Sequence, residues 1–129
     1  MSTAEIVRVD PDAPDPAAIR RVAVLLRGGG VAIFPTRGLY GLGVDALNPA
    51  AVERVYALKG RPPEKPLLVL IPAPEMLPRL AGRVPPVARR LMDTFWPGNL
   101  TIVLEAVPGL PAALTAGTGR IGVRLAGHP

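Results

Sequence analysis

A length of 129 residues with 49% hydrophobic and 19% charged side chains predicts one soluble globular domain over residues 1–129, and the net charge of +5 favours anionic partners. The absence of cysteine excludes disulfides and thiolate chemistry, and a lone histidine at position 128 excludes a zinc site. No apolar run approaches the roughly 20 residues of a membrane span, and the start MSTAEIVRVD has no basic or apolar leader, so a cytoplasmic protein without membrane association is expected.

Ile6, Val7 and Val9 have the make-up of an edge strand, followed by turn residues from Asp10 to Pro14. Asp15 then reads as an N-cap with Pro16 at the first helical position. Ile19, Val22, Leu25 and Leu26 recur on one face until Gly28-Gly29-Gly30 stops the helix, with Arg20, Arg21 and Arg27 on its wet side or at its C-terminus. Val31 to Phe34 reads as a buried strand ending at Pro35. The loop predicted over Thr36–Gly43 carries glycine at 38, 41 and 43, an order that matches neither the dinucleotide fingerprint nor a Walker A loop. Those glycines either turn the chain sharply or let backbone N–H groups approach a ligand. A loop at the carboxyl end of a strand favours the ligand.

Asn48 caps a second helix opened by Pro49, with Val52, Val55 and Tyr56 on one face, stopped by Gly60 and Pro62-Pro63. Lys59 follows Val52 by two turns and is expected to project from the same apolar side. It is one of only two lysines beside thirteen arginines, the other being Lys65. A lysine there either complements the helix dipole or serves as a compact ammonium for a phosphate, with Arg61 sharing the anion and Lys65 in solvent. Pro66 to Ile71 is a further apolar run of strand length, Pro74 to Leu80 a Pro-bounded helical segment, and Pro85 to Trp96 a helix with Val87, Leu91 and Phe95 at helical spacing. Trp96 reads as a core anchor ahead of a base-stacking platform. Leu100 to Leu104 is a strand with Thr101 and Val103 on one face and Leu100, Ile102 and Leu104 on the other. A connection rich in Pro, Gly, Thr and Ala covers 106–118, and GRIGVRL is the last strand. Its Arg124 is paired, lies at an edge, or faces an anionic ligand. His128, next to the end of the chain, reads as a solvated side chain. Apolar runs alternating with helical patterns argue an α/β domain with a mixed sheet.

VAIFPTRGLYGLGVDALN, AVERVYALKGRPPEKPLLVL, FWPGNLTIVL and IGVRLAGHP together resemble, in order and spacing, the YrdC family. The resemblance implies a twisted open mixed sheet with flanking helices and a basic concave cavity. It implies a nucleotidyltransferase, threonylcarbamoyl-AMP synthase, that joins L-threonine, bicarbonate and ATP with loss of pyrophosphate for tRNA modification. Lys59 and Arg61 match the family's Lys-x-Arg signature for ATP phosphates. Thr36, Tyr40, Arg124 and Thr101 match positions around the threonine and carbamate, with Arg124 as partner of the threonine carboxylate. Mg²⁺ is expected to arrive with ATP, held through phosphates and water and by no protein cage. No catalytic acid or base and no protein metal ligand is assigned. The expected partners are the substrates, tRNA or double-stranded RNA, and a downstream threonylcarbamoyl transferase complex.

The chain departs from the family pattern at Arg37 and Gly38 after the Pro-Thr pair, at Asn99 and at Ala126. The family continues into a Ser-x-Asn segment that completes the nucleotide pocket, whereas this sequence stops at Pro129, so the expectation is a domain truncated at its C-terminus, the other reading being a protein without that half of the constellation and then without an assured activity. A double-stranded RNA- or tRNA-binding module of the same fold without catalysis, gripping phosphates with the same basic cavity, is the alternative reading, and a related carbamoyl-transfer branch or one that adenylates a different carbamate is a third. Sparse aromatics, 4%, argue against reading single strands by stacking.

Overall fold

The computed structural model describes residues 4–36 and 39–126. Helix α1 spans Pro16–Arg27, and its start is set by Asp15, whose carboxylate accepts from the Ala17 N–H at 3.0 Å. At its far end Gly30 N donates to Leu25 O, and a Cβ at Gly30 would come within 2.8 Å of that carbonyl, so no larger residue closes this helix in the same way. The expected edge strand before it is not formed. Residues 4–10 are irregular, with Ile6 87% exposed, because no strand among the described residues offers them a ladder of hydrogen bonds.

Strand β1 (Ala32–Pro35) pairs antiparallel with β2 (Tyr40–Gly43) as a two-stranded hairpin. This corrects the expected loop over Thr36–Gly43, whose second half is strand. The reason lies in Phe34, directly opposite Gly41. Its ring lies over Gly43, where a Cβ would stand 2.4 Å from Phe34 Cε1, while at Gly41 the tight neighbour of a Cβ is Thr36 Cγ2 at 3.3 Å. Glycine at 43 therefore makes room for an aromatic ring within a ladder, the close approach that glycine in a strand often marks.

Helix α2 (Pro49–Lys59) is capped by Asn48, which accepts from Ala51 N–H at 3.2 Å, and ends at Gly60 in the left-handed region at φ 59°. Strand β3 (Leu68–Ile71) follows, then a 3₁₀ turn over Pro74–Arg79, helix α3 (Pro86–Phe95), strand β4 (Ile102–Glu105), short helix α4 (Ala112–Thr115) and strand β5 (Arg120–Leu125). Pro74 and Pro78 tighten the expected helical segment into 3₁₀ geometry, since Pro78 has no N–H to give to an α-helical ladder. Helix α4 falls inside the expected connection and buries Leu114 and Thr115.

The three-stranded sheet has the order β3-β5-β4, with β3 parallel and β4 antiparallel to β5. Alternation sends Val69, Ile71, Ile102, Leu104, Ile121 and Val123 to one face, where they pack with Val52 of α2, Leu77 and Leu80, Met92 of α3 and Leu114 of α4. Trp96 joins the margin of this core and donates from Nε1 to Leu100 O at 2.8 Å, as expected of an anchor. The opposite face is not covered by these helices. There Leu68, Gly122 and Val103 form one cross-strand row, and Leu70, Arg124 and Thr101 the next.

This two-sidedness sets an expectation for stability. Ile121→Ala, at a fully buried position, is expected to cost about 2–5 kcal/mol, whereas Val103→Ala, 61% exposed on the open face, is expected to cost well under about 1 kcal/mol. Urea unfolding of the two variants reads the difference.

Candidate functional site

Arg124 stands in the central strand of the sheet on its open face, opposite Thr101. Its Nε and Nη2 donate to Thr101 Oγ1 at 3.2 and 2.9 Å. Among the described residues the one ion pair is Arg21 with Glu5, both exposed, so no carboxylate offsets the charge on Arg124. Leu70 flanks the guanidinium on the other side, and in the next row Gly122 lies as a floor between Leu68 and Val103. The result is a half-buried cation on an open sheet face, with the exposed aliphatic side chains of Leu68, Leu70 and Val103 nearby. Such a surface suits a small ligand with a carboxylate at one end and an apolar body. Gly122, Leu68, Leu70 and Val103 were not among the expected site residues. Gly122 was within reach of sequence reasoning, because it stands two positions before Arg124 in a strand and so shares its face.

Arg61 is engaged otherwise than expected. Its Nε donates to Lys65 O at 3.2 Å and its Nη2 to Pro66 O at 2.7 Å. The Tyr56 hydroxyl sits 2.7 Å from both Lys65 O and Ala113 O and donates its one proton to either. Together they hold the turn that feeds β3, and remaining N–H groups of Arg61 stay available to an anion. Lys59 does not project into the core as expected. The buried stripe of α2 is Ala51, Val52 and Val55, and one turn later Tyr56 takes the inward position, so Lys59 emerges beyond the core margin and is exposed. It makes no hydrogen bond or ion pair among the described residues. Lys65 is exposed, as expected.

Thr36 directly follows β1 and Tyr40 opens β2, on the two sides of the hairpin turn. Thr36 Oγ1 donates to Leu39 O, so its proton is already committed and the oxygen meets a ligand only as an acceptor. Tyr40 is 75% exposed. Arg37, Gly38 and His128 lie outside the described residues. The six expected residues thus form three groups. Arg61 binds the chain just before β3, while Arg124 is level with Leu70, four residues on, a separation on the order of 13 Å along the strand. Two recesses of about 280 and 350 Å³ lie between the 3₁₀ turn and α3, and none of the six lines either. No helix is long and apolar enough to cross a membrane among the described residues.

A family model described as "Telomere recombination", that of Sua5, YciO and YrdC, matches residues 24–129. The chain belongs to the Sua5/YciO/YrdC family. It is 43% identical over 112 residues to the threonylcarbamoyl-AMP synthase of Bacillus subtilis, which takes in 86% of this chain and 32% of that protein. With the synthase of Halorhodospira halophila the identity is 35% over 119 residues, 92% of this chain and 62% of the relative. The crystal structure of Pyrococcus abyssi Sua5 complexed with L-threonine superposes with a TM-score of 0.87 at 39% identity, over 90% of this chain and 34% of that one. Escherichia coli YciO gives a TM-score of 0.83 at 29% identity, over 94% and 59%. The expected α/β fold with a mixed sheet and flanking helices is therefore that of the Sua5/YciO/YrdC family. The chain spans from about a third to somewhat under two thirds of these relatives.

The two cations of the Lys-x-Arg signature are expected to separate in a stability assay. Arg61→Ala removes two hydrogen bonds to backbone carbonyls and is expected to lower unfolding free energy by about 1–2 kcal/mol, while Lys59→Ala stays within about 0.5 kcal/mol of the parent. Equilibrium urea unfolding distinguishes them.

Proposed function

We propose that this chain is a YrdC-type domain that binds L-threonine and ATP for threonylcarbamoyl-AMP synthesis. The observation that carries this reading is Arg124, without an acidic partner among the described residues, held by Thr101 on an open sheet face beside Leu70 and Gly122. The L-threonine carboxylate pairs with the open guanidinium edge, and its side chain lies over Gly122 between Leu68 and Val103. The complex of Pyrococcus abyssi Sua5 with L-threonine supports that choice of amino acid. Arg61, bound to the carbonyls just before β3, and Lys59, the last residue of α2, are assigned to the ATP phosphates. An ammonium with no partner among the described residues suits that role, since no contact seen there has to be broken.

The reaction assigned is nucleophilic. The neutral threonine amine attacks the carbon of bicarbonate, and water leaves as the carbamate forms. A carbamate oxygen then attacks the α-phosphorus of ATP while the bond to the bridging oxygen of the β-phosphate breaks, releasing pyrophosphate and leaving threonylcarbamoyl adenylate. Negative charge gathers at each step, so fixed cations supply the main stabilisation. Thr36, able only to accept, suits the amine N–H and not a carboxylate oxygen. Tyr40 is assigned to the carbamate end of the same hairpin. Mg²⁺ enters with the phosphates. Among the described residues no group of three or more His, Cys, Asp or Glu converges on a point, so no protein ligand is assigned to it. The adenylate would pass to a transferase acting on tRNA in the cytoplasm.

Pyrophosphate release from ATP that requires both L-threonine and bicarbonate is the expected result, and release indifferent to either one contradicts the reading. In calorimetric titrations Arg124→Ala is expected to weaken L-threonine binding by roughly 10- to 100-fold, the worth of a charge-assisted hydrogen-bonded pair. Lys59→Ala is expected to weaken ATP binding by at least about tenfold and leave L-threonine affinity unchanged.

A further inference from the structure

We infer that Thr101 is a positioning residue, which selects the edge of the Arg124 guanidinium presented to the substrate carboxylate, and that Gly122 is kept side-chain-free so that Thr101 can do so. The carboxylate is that of the reading above, on which this role rests. A guanidinium carries five N–H groups along distinct edges, and a carboxylate can dock on the side edge made by Nε and one terminal nitrogen or on the outer edge made by the two terminal nitrogens. Thr101 Oγ1 accepts from both Nε and Nη2, so it occupies the side edge. The outer pair, Nη1 and Nη2, is what remains for a two-pronged contact.

The choice of a hydroxyl is chemically specific. An aspartate at the same place would lock the guanidinium equally well but would cancel its charge and compete with the substrate carboxylate. An aliphatic residue would leave the charge but not the orientation, and the side chain would regain the rotamer freedom that binding then has to remove. Threonine fixes the geometry and leaves the full positive charge. Its own O–H proton meets no acceptor among the described residues, so its lone pairs, and not its proton, hold the arginine.

Gly122 extends the device to the central strand. It is diagonal to Thr101 on the same face, and a Cβ added there would stand 3.3 Å from Thr101 Cγ2, closer than ordinary van der Waals contact. The nearest thing such a methyl group displaces is therefore the side chain that orients Arg124. The backbone at Gly122 is not in the left-handed region, so alanine there meets no conformational penalty of that kind.

The test combines L-threonine titration with the order parameter of the Arg124 Nε–Hε group from ¹⁵N relaxation, on the chain as it stands. Thr101→Val is expected to lower that order parameter and to weaken L-threonine binding about five- to tenfold. Thr101→Ser is expected to restore both, and Thr101→Asp to retain order while losing binding. Gly122→Ala is expected to keep or raise the melting temperature, to weaken L-threonine binding and to lower the Arg124 order parameter in the free protein, the last of which neither general destabilisation nor a methyl group touching only the substrate produces. An unchanged Arg124 order parameter in Thr101→Val overturns the positioning role whether or not L-threonine binds. So does Arg124→Ala losing affinity while Thr101→Val keeps it. Undiminished affinity in Arg124→Ala overturns instead the assignment of the carboxylate to Arg124.

Discussion

The pairing of β5 between β3 and β4 is the constraint on which the rest of the molecule depends. A strand has a period of two, so burying Ile121 and Val123 completely obliges Arg120, Gly122 and Arg124 to face the other way. A slip of one residue in register would drive two arginines into the apolar core and expel its most buried side chains. The energetic preference for one register is therefore large, and it places the cation of the site to within a side chain's freedom. Core and candidate site are thus two faces of one strand.

The arginines show how one residue type serves different ends according to its neighbours. Arg61 spends donors on the carbonyls of Lys65 and Pro66, and with Tyr56 it shapes the turn into β3. Arg54 reaches Gly29 O and ties α2 to the end of α1. Arg124 alone of these is held by a hydroxyl on the uncovered sheet face, with Thr101 on one side and the aliphatic Leu70 on the other. A guanidinium that already satisfies backbone oxygens is part of the scaffold first. One held by a neutral side chain keeps its charge for something else. Composition, with its excess of arginine over acid, carries no hint of this division.

The helix α2 terminus makes a related point. Asn48, Pro49 and Gly60 set its ends as their chemistry requires, and the stripe Val52, Val55, Tyr56 faces the core. Extending that stripe by another turn to Lys59 assumed that the core extends as far as the helix. It does not, and the ammonium stands in solvent. Helical phase says which way a side chain leaves the axis, but whether anything lies there is a property of the neighbours.

Much of the architecture was legible in the sequence because it is locally determined. Caps at Asp15 and Asn48, glycine stops at Gly28–Gly30 and Gly60, and the alternation in LTIVL and RIGVRL act over a few residues, and the structure keeps each of them. What only the tertiary structure decided involves partners distant in the chain. Pairing with β1 turned Gly41 and Gly43 from loop residues into ladder residues, with the Phe34 ring over Gly43. Ile6, Val7 and Val9 have no strand partner among the described residues, and the antiparallel register of β4 on β5 brought Thr101 against Arg124. The physical reason is common to all three: a hydrogen-bond ladder or a ring lying on a glycine needs a second segment, and no local pattern says which segment that will be.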